Sequence, residues 1–171
     1  MTTLAIPAPD WFATWTECVR DFGEEFRHGS GESMVAGFGP DRRSFDLLLD
    51  VVRAESGVDG ALPAGRVACD YFWVTQGPTM IGFLALRHSI DTEFVRTRGG
   101  HIGYRIRPAY RRQGHGSRAL GLALPLARDL GLEAVLLTCD EGNVGSARTI
   151  ESQGGVLENV VDATRRYWID L

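Results

Sequence analysis

The sequence contains no lysine, because all 18 basic residues of the 171-residue chain are arginine. Schiff-base and pyridoxal enzymes need a lysine amine as nucleophile, and the phosphate loop G-x-x-x-x-G-K-[ST] needs its lysine beside the phosphates. These chemistries are therefore excluded. Codon bias in a GC-rich genome is a sufficient explanation of the composition itself.

Cysteine and histidine are too sparse and too scattered to form a metal site. Cys18, Cys69 and Cys139 form no C-x-x-C pair, and the four histidines show no H-x-x-x-H spacing. Disulfide frameworks and zinc sites depend on such spacing. We therefore expect neither a disulfide nor a metal.

Long apolar runs are also missing. No stretch approaches the roughly 20 residues that cross a bilayer. The first ten residues lack the basic region and apolar run of a signal peptide. We therefore expect a cytoplasmic protein without membrane contact. With 44% hydrophobic and 23% charged residues, the composition predicts a single globular domain over residues 1–171.

Charge is unevenly distributed along the chain. The net charge of −4 argues against a protein that coats nucleic acid. Between Phe94 and Arg128 there is no acidic residue, and this segment holds eight arginines. They are Arg96, Arg98, Arg105, Arg107, Arg111, Arg112, Arg118 and Arg128. A mildly acidic chain with one concentrated positive segment suits a small polyanion as partner.

Hydrophobic periodicity predicts one α/β domain with the element order ααβββαβαββ. The first helix is predicted to begin at Asp10 as N-cap and to end at Gly23 or shortly after His28. Ser44 is predicted to cap the second helix, which ends in the Gly/Pro-rich segment 57–65. The other predicted helices are 117–130 and 143–153, and the predicted strands are 67–74, 80–86, 101–107, 134–139, 156–161 and 166–171.

Two glycines lie where the third predicted strand turns into the third helix. Gly114 and Gly116 permit positive φ and a close approach of a ligand to backbone amides. The first amides of a helix have no internal partner and accept phosphate oxygens, and Arg111 and Arg112 add positive charge. The physical reading is a pyrophosphate site; the alternative is a plain turn with solvated arginines. It is not a G-x-G-x-x-G dinucleotide fingerprint, because residue 119 is alanine.

The segment Arg111-x-x-Gly114-x-Gly116 resembles the R/Q-x-x-G-x-G/A signature of the GNAT superfamily of N-acetyltransferases. The strand before it, residues 101–108, is similar to the E-I-G-Y…V-x-P pattern of that family. The helix after it, residues 143–154, is similar to the N-x-x-A-x-x-x-Y-E-x-x-G pattern. The resemblance covers residues 81–171, extends to a bacterial subgroup of acetyltransferases, and is weak over residues 1–65.

This resemblance implies a single-domain GNAT-like fold, with a mixed, mostly antiparallel central sheet and about four flanking helices. It implies acetyl-CoA as co-substrate and direct transfer of the acetyl group to a primary amine of a small molecule, peptide or protein. It leaves the oligomeric state open, including a homodimer.

The resemblance also implies which residues bind acetyl-CoA. The backbone amides of residues 113–117 would hold the CoA pyrophosphate. The strand around Ile106 would pair with the pantetheine arm, and Asn143 would bond to it. The implied set is Ile106, Arg111, Arg112, Gln113, Gly114, His115, Gly116, Ser117 and Asn143.

The resemblance makes His101 the candidate general base, because many relatives carry a glutamate at its position. The pKa of a free histidine, near 6.5, suits that role. The alternative is a strand histidine bonded to neighbouring backbone. His88 is a second candidate.

Ile150 departs from the family pattern, in which a tyrosine protonates the leaving thiolate. Ser146 or Tyr104 could replace it, or CoA leaves as the thiolate. The general acid is therefore unassigned, and a non-catalytic acyl-CoA-binding or sensing module remains the alternative function.

Overall fold

The computed structural model describes residues 1–57, 62 and 64–171, so the predicted end of the second helix, in segment 57–65, lies partly outside the described residues. The elements are, in order, β1 (Thr2–Ala5), α1 (Phe12–Phe22), α2 (Arg42–Glu55), β2 (Cys69–Gln76), β3 (Thr79–Arg87), β4 (Ile102–Ile106), α3 (His115–Asp129), β5 (Ala134–Asp140), α4 (Val144–Glu151), β6 (Val156–Val161) and β7 (Thr164–Asp170). Short helical turns lie at Pro9–Trp11, Glu32–Met34, Val95–Gly99 and Pro108–Tyr110.

The described strands form two antiparallel sheets. The first has the order β1-β2-β3-β4 and the second the order β5-β7-β6. In the first sheet Leu84 of β3 faces Tyr104 of β4, and in the second Leu137 of β5 faces Tyr167 of β7. The predicted fold class, one α/β domain, is confirmed.

Strand β3 is buried on both of its faces. Phe83 packs with Trp15 and Phe45 of the α1–α2 layer. Leu84 packs with Leu120 and other residues of α3 on the opposite face. This explains the continuous apolar run of β3, because a strand covered on both sides needs no polar alternation.

Strand β1 was not predicted from the sequence. It has four residues, two of which are threonines, so it carries no apolar alternation. Its order comes from pairing with β2, where Leu4 lies opposite Val74. The buried Thr2 also bonds across to His115 of α3.

The predicted N-caps of the first two helices were wrong. Asp10 lies inside the turn Pro9–Trp11, and α1 begins at Phe12 without a side-chain cap. Asp41 caps α2 instead, because its carboxylate accepts the amide hydrogen of Ser44 at 2.8 Å. Helix α1 ends before Gly23, whose φ of +57° leaves the helical region. Within the described ranges, no helix is long and apolar enough to cross a membrane.

Candidate active site

A cleft of about 1120 Å³ opens between β4 of the first sheet and β5 of the second. The two strands are joined where they begin: the His101 amide donates to the Leu136 carbonyl oxygen at 2.7 Å. Beyond this point no ladder of backbone hydrogen bonds joins β4 to β5 among the described residues. The cleft lies where the sheets separate, and all of β4 lines it.

The two faces of β4 serve different parts of the molecule. Tyr104 and Ile106 point towards α3, since a Cβ on Gly116 would lie 3.5 Å and 3.9 Å from them. On the other face, Gly29 of the α1–α2 loop (residues 23–41) packs so closely that a Cβ there would lie 2.3 Å from the Gly103 carbonyl oxygen. Arg105 also points to this loop. The cleft therefore has an α3 face and a loop face.

Of the two glycines that the sequence places before α3, Gly114 has a positive φ, whereas Gly116 lies in the first turn of the helix. Gly114 has a φ of +78° and Arg112 a φ of +64°. The first amide that bonds within α3 is that of Arg118, which donates to the Gly114 carbonyl oxygen. The amides before it have no acceptor within the helix, and no side chain caps this end. They are available to an anion in the cleft.

The side chain of Arg111 is already occupied. Its Nε donates to the Ile106 carbonyl oxygen at 2.9 Å, and its Nη2 donates to Glu25. Glu25 also accepts from Arg105 at 2.6 Å. Hydrogen bonds from Arg111 and Arg105 lower the pKa of Glu25 to about 2. Arg111 thus ties the α1–α2 loop to the glycine turn.

Arg112, by contrast, is exposed and lines the cleft. In the part of the chain that the structure describes, its guanidinium has no hydrogen-bond or ion-pair partner. Gln113 is exposed but does not line the cleft; its side chain donates to the Ala109 carbonyl oxygen at 3.2 Å. Of the two neighbouring arginines, Arg112 is therefore the one free to bind an anion.

His115 and Ser117 line the cleft but have partners within the fold. The buried ring of His115 lies 2.9 Å, Nδ1 to Oγ1, from Thr2, and burial lowers its pKa. The Ser117 hydroxyl accepts from Gln153 at 2.9 Å and lies 3.1 Å from the Ser152 hydroxyl. Both side chains help to fix the start of α3, where the free amides lie.

Helix α4 contributes polar groups to the opposite wall of the cleft. Asn143 caps it by accepting the Ser146 amide hydrogen at 3.0 Å. The Ser146 hydroxyl lies 3.5 Å from that of Tyr104, and both residues line the cleft. Burial raises the pKa of Tyr104, which therefore keeps its proton at neutral pH. Ile150 is fully buried in the core.

His101 lies at the closed end between the strands and is not among the residues that line the cleft. It is buried, and its Nδ1 accepts the Leu136 amide hydrogen at 2.9 Å. Burial, followed by the nearby positive charge of Arg87, lowers its pKa to about 4. This geometry favours the alternative of a histidine bonded to neighbouring backbone. His88 also lies outside the cleft lining, 2.9 Å from Asp70.

His28 is the residue that the sequence reasoning missed. It lies in the α1–α2 loop next to Gly29, lines the cleft and is exposed to it. Desolvation by the surrounding loop and the positive charge of Arg105 lower its pKa. No sequence pattern singles it out, because the loop lies where the family resemblance is weak.

Comparison with known proteins identifies the class to which this arrangement belongs. Residues 43–154 match the model of the Acetyltransferase (GNAT) family. The match covers more than half of the chain and includes the glycine turn and both strands of the cleft. The chain therefore belongs to the GNAT family of acetyltransferases. The predictions of family and of enzyme class are confirmed.

Solved structures share the fold at low sequence identity. A proposed ribosomal-protein-serine acetyltransferase from Vibrio cholerae is 19% identical, with a TM-score of 0.67 over 99% of this chain and 94% of that one. YncA from Salmonella typhimurium, solved with its cofactor acetyl-CoA, is 14% identical, with a TM-score of 0.64 over 99% and 94%. The microcin C7 self-immunity acetyltransferase MccE, solved with acetyl-CoA and AMP, is 12% identical, with a TM-score of 0.64 over 99% and 92%. No curated protein sequence matches the chain.

Proposed function

We propose that this acetyltransferase moves an acetyl group directly from acetyl-CoA to the nitrogen of a primary amine. The observation that carries the proposal is the uncapped start of α3, beside the unpaired Arg112, opening into the cleft between β4 and β5. Backbone amides and a helix dipole form a phosphate site that needs no lysine.

We assign the role of each residue in CoA binding from the hydrogen-bond donors that the fold leaves without a partner. The amides of residues 113–117 hold the pyrophosphate, and Arg112 adds a guanidinium to it. Arg111 acts as a positioning residue, because its own guanidinium binds Glu25. Ile106 and Asn143 contact the pantetheine arm, which enters along β4.

Acetyl transfer to an amine needs a base. An alkyl ammonium with a pKa near 10 lies about 3 units above neutral pH, so its deprotonation costs about 4 kcal/mol. We assign this role to His28, which is neutral at pH 7 and exposed to the cleft on the loop face. His101 is a positioning residue that keeps the two strands together.

The proton and the leaving group can then be followed through the reaction. His28 first takes one proton from the ammonium and releases it to solvent. The neutral amine nitrogen then attacks the thioester carbonyl carbon, the carbon–sulfur bond breaks, and the second proton of the nitrogen passes to His28. Tyr104 and Ser146 are two hydroxyl residues of the cleft lining that can protonate the departing thiolate. They would supply the proton that the isoleucine at position 150 cannot donate.

Isothermal titration with acetyl-CoA tests the proposal directly. We expect Arg112→Ala to weaken binding about tenfold, the effect of losing one charge-assisted hydrogen bond. Arg128→Ala, at the far end of α3, is the matched control and should leave the affinity unchanged. If the folded protein does not bind acetyl-CoA, the proposed function is wrong.

A non-catalytic acyl-CoA sensor is the second candidate, and the buried Ile150 favours it, because that position supplies no acid. Thiol release from acetyl-CoA, measured over a panel of amines, separates the two functions. A sensor binds acetyl-CoA but releases no thiol with any amine.

A further inference from the structure

We propose that the acceptor amine also carries an anionic group, a carboxylate or a phosphate, which Arg87 and Arg98 bind on the loop face of the cleft. This inference rests on the proposed acetyl transfer and names the chemical class of its acceptor.

The first step is a balance of charges in the cleft. Among its described lining residues are seven arginines and one carboxylate, that of Asp140. The arginines are Arg27, Arg66, Arg87, Arg98, Arg105, Arg111 and Arg112. Three carboxylates behind the lining pair with four of them, so the cleft retains an excess of positive charge that the fold itself does not use.

The four paired arginines have short ion pairs. Arg27 binds Glu32 at 2.8 Å, and Arg66 binds Glu55 at 2.6 Å. Arg105 and Arg111 share Glu25, as described above. These carboxylates hold the four guanidiniums in place, and the two Nε atoms among them that lack a partner, those of Arg27 and Arg105, are buried.

Arg112, Arg87 and Arg98 remain. The proposed function uses Arg112 for the CoA pyrophosphate. Arg98 is exposed, and the one carboxylate that it reaches among the described residues is Asp162, at 4.0 Å, which is itself 80% exposed. Such a distant, solvated pair neutralises little charge. Two cations are therefore left without a role in CoA binding.

Arg87 is the stronger of the two candidates. Its Nη1 donates to the carbonyl oxygens of Gly99 and Gly100, both at 3.1 Å, which holds the guanidinium in one orientation. The residue is half-buried, and it has no carboxylate partner in the described part of the chain. A partly desolvated guanidinium that is held in place presents its remaining N–H groups to an anion with fixed geometry.

The position of Arg87 assigns this anion to the acceptor rather than to CoA. Its Nη1 lies 3.7 Å from where a Cβ on Gly103 would be, which places it on the loop face of β4. The glycine turn of α3 lies on the other face, against Tyr104 and Ile106. The pyrophosphate site and Arg87 are thus separated by the strand itself.

The rest of the cleft fits an amine on the same ligand. Asp140 is its lining carboxylate, close enough to His28 to raise that residue's pKa against the larger lowering effects. Asp140 attracts an ammonium to the base, while Arg87 and Arg98 hold the anion. Phe26 and Phe94, exposed by 51% and 60%, line the cleft and offer apolar contacts between the charges.

The test compares amines that differ only in the anion. The pairs are phenylalanine against phenethylamine, and phosphoethanolamine against ethanolamine, each with acetyl-CoA and measured by thiol release. We expect the anionic member of at least one pair to show a kcat/KM at least about tenfold higher, the worth of one charge-assisted bond. A preference for phenylalanine over phenethylamine indicates a carboxylate, and a preference for phosphoethanolamine over ethanolamine indicates a phosphate.

Variants tie the preference to the two arginines. Arg87→Ala should remove it by lowering kcat/KM for the anionic member about tenfold relative to the neutral member, while the affinity for acetyl-CoA stays unchanged. Arg98→Ala, at an exposed position, should raise KM for the anionic member and tests the proposal if Arg87→Ala does not fold. Arg128→Ala is the control for a change of net charge.

Two results overturn the inference and leave acetyl transfer standing. One is equal or faster turnover of the neutral amines. The other is that no anionic amine reacts with the acetyl-CoA complex and none raises the melting temperature of that complex. Failure to bind acetyl-CoA at all is a different result, which contradicts the proposed function itself.

Discussion

At the scale of single residues, we assign a structural role to His101 and the role of the base to His28. His101 is buried with a pKa of about 4, so it is neutral at pH 7 and accepts the Leu136 amide hydrogen. His28 is exposed to the cleft, with a pKa lowered by desolvation and by Arg105. Asp140 and Glu32 oppose this shift, and Arg87 adds to it. Both rings are neutral at pH 7, but of the two only His28 lines the cleft.

The variants His101→Asn and His28→Gln should separate these roles. In the unfolded chain the His101 pKa returns to about 6.5, so the unfolded state binds protons more readily. The stability of the wild type should therefore fall as pH drops from 6.5 to about 4, by about 3 kcal/mol. His101→Asn keeps the acceptor atom without the titration. Urea unfolding should show a smaller loss in this variant. The remainder comes from His28 and His115 and, near pH 4, from Glu25 and Asp21, whose pKa values are also lowered in the fold.

His28→Gln should instead lower kcat by about 100-fold or more, the usual contribution of a general base. Its affinity for acetyl-CoA should stay unchanged. In the wild type, kcat/KM should fall with the protonation of His28, at a pH below 6.5, and the variant should lose this acidic limb. If His101→Asn abolishes turnover and His28→Gln does not, the assignment of the base is reversed.

At the scale of elements, Glu25 connects the α1–α2 loop to strand β4 and to the glycine turn before α3. It binds Arg105 of β4 and Arg111 of the glycine turn. Glu25→Gln should loosen the loop that carries His28 and cost about 1 kcal/mol of stability, because the carboxylate is partly exposed. Hydrogen exchange should rise in residues 23–31. Glu24→Gln, at an exposed neighbouring position, is the control. Unchanged exchange in the Glu25 variant would contradict this role.

Features that depend on local interactions could be predicted from the sequence, whereas features that depend on contacts between distant residues could not. The apolar run of β3 and the glycines before α3 are local signals, and they predict a buried strand and an anion-binding turn. The motif cannot tell Arg111 from Arg112, because the difference depends on Glu25, which lies 86 residues from Arg111. Likewise, His28 reaches the cleft through the contact of Gly29 with Gly103. Both are tertiary contacts in the part of the chain where family resemblance is weak.

At the scale of the whole molecule, the absence of lysine agrees with the proposed acetylation of amines, because the chain has no lysine side-chain amine of its own to be acetylated. Arginine supplies the positive charges of the cleft without adding an amine that could be acetylated. Its forked donors also suit carboxylate and phosphate. The chain nevertheless has a net charge of −4, so its positive charge acts locally rather than over the whole surface.

This charge distribution predicts how salt affects binding. Acetyl-CoA is a polyanion that the net charge repels and the cleft attracts. Since salt shortens the reach of exposed charges, raising NaCl from about 20 mM to about 500 mM should weaken acetyl-CoA binding about fivefold, as measured by isothermal titration. Acetyl-pantetheine lacks the phosphates, and its affinity should change little over the same range. Equal salt dependence for the two ligands would mean that the arginines of the cleft do not bind the phosphates of CoA.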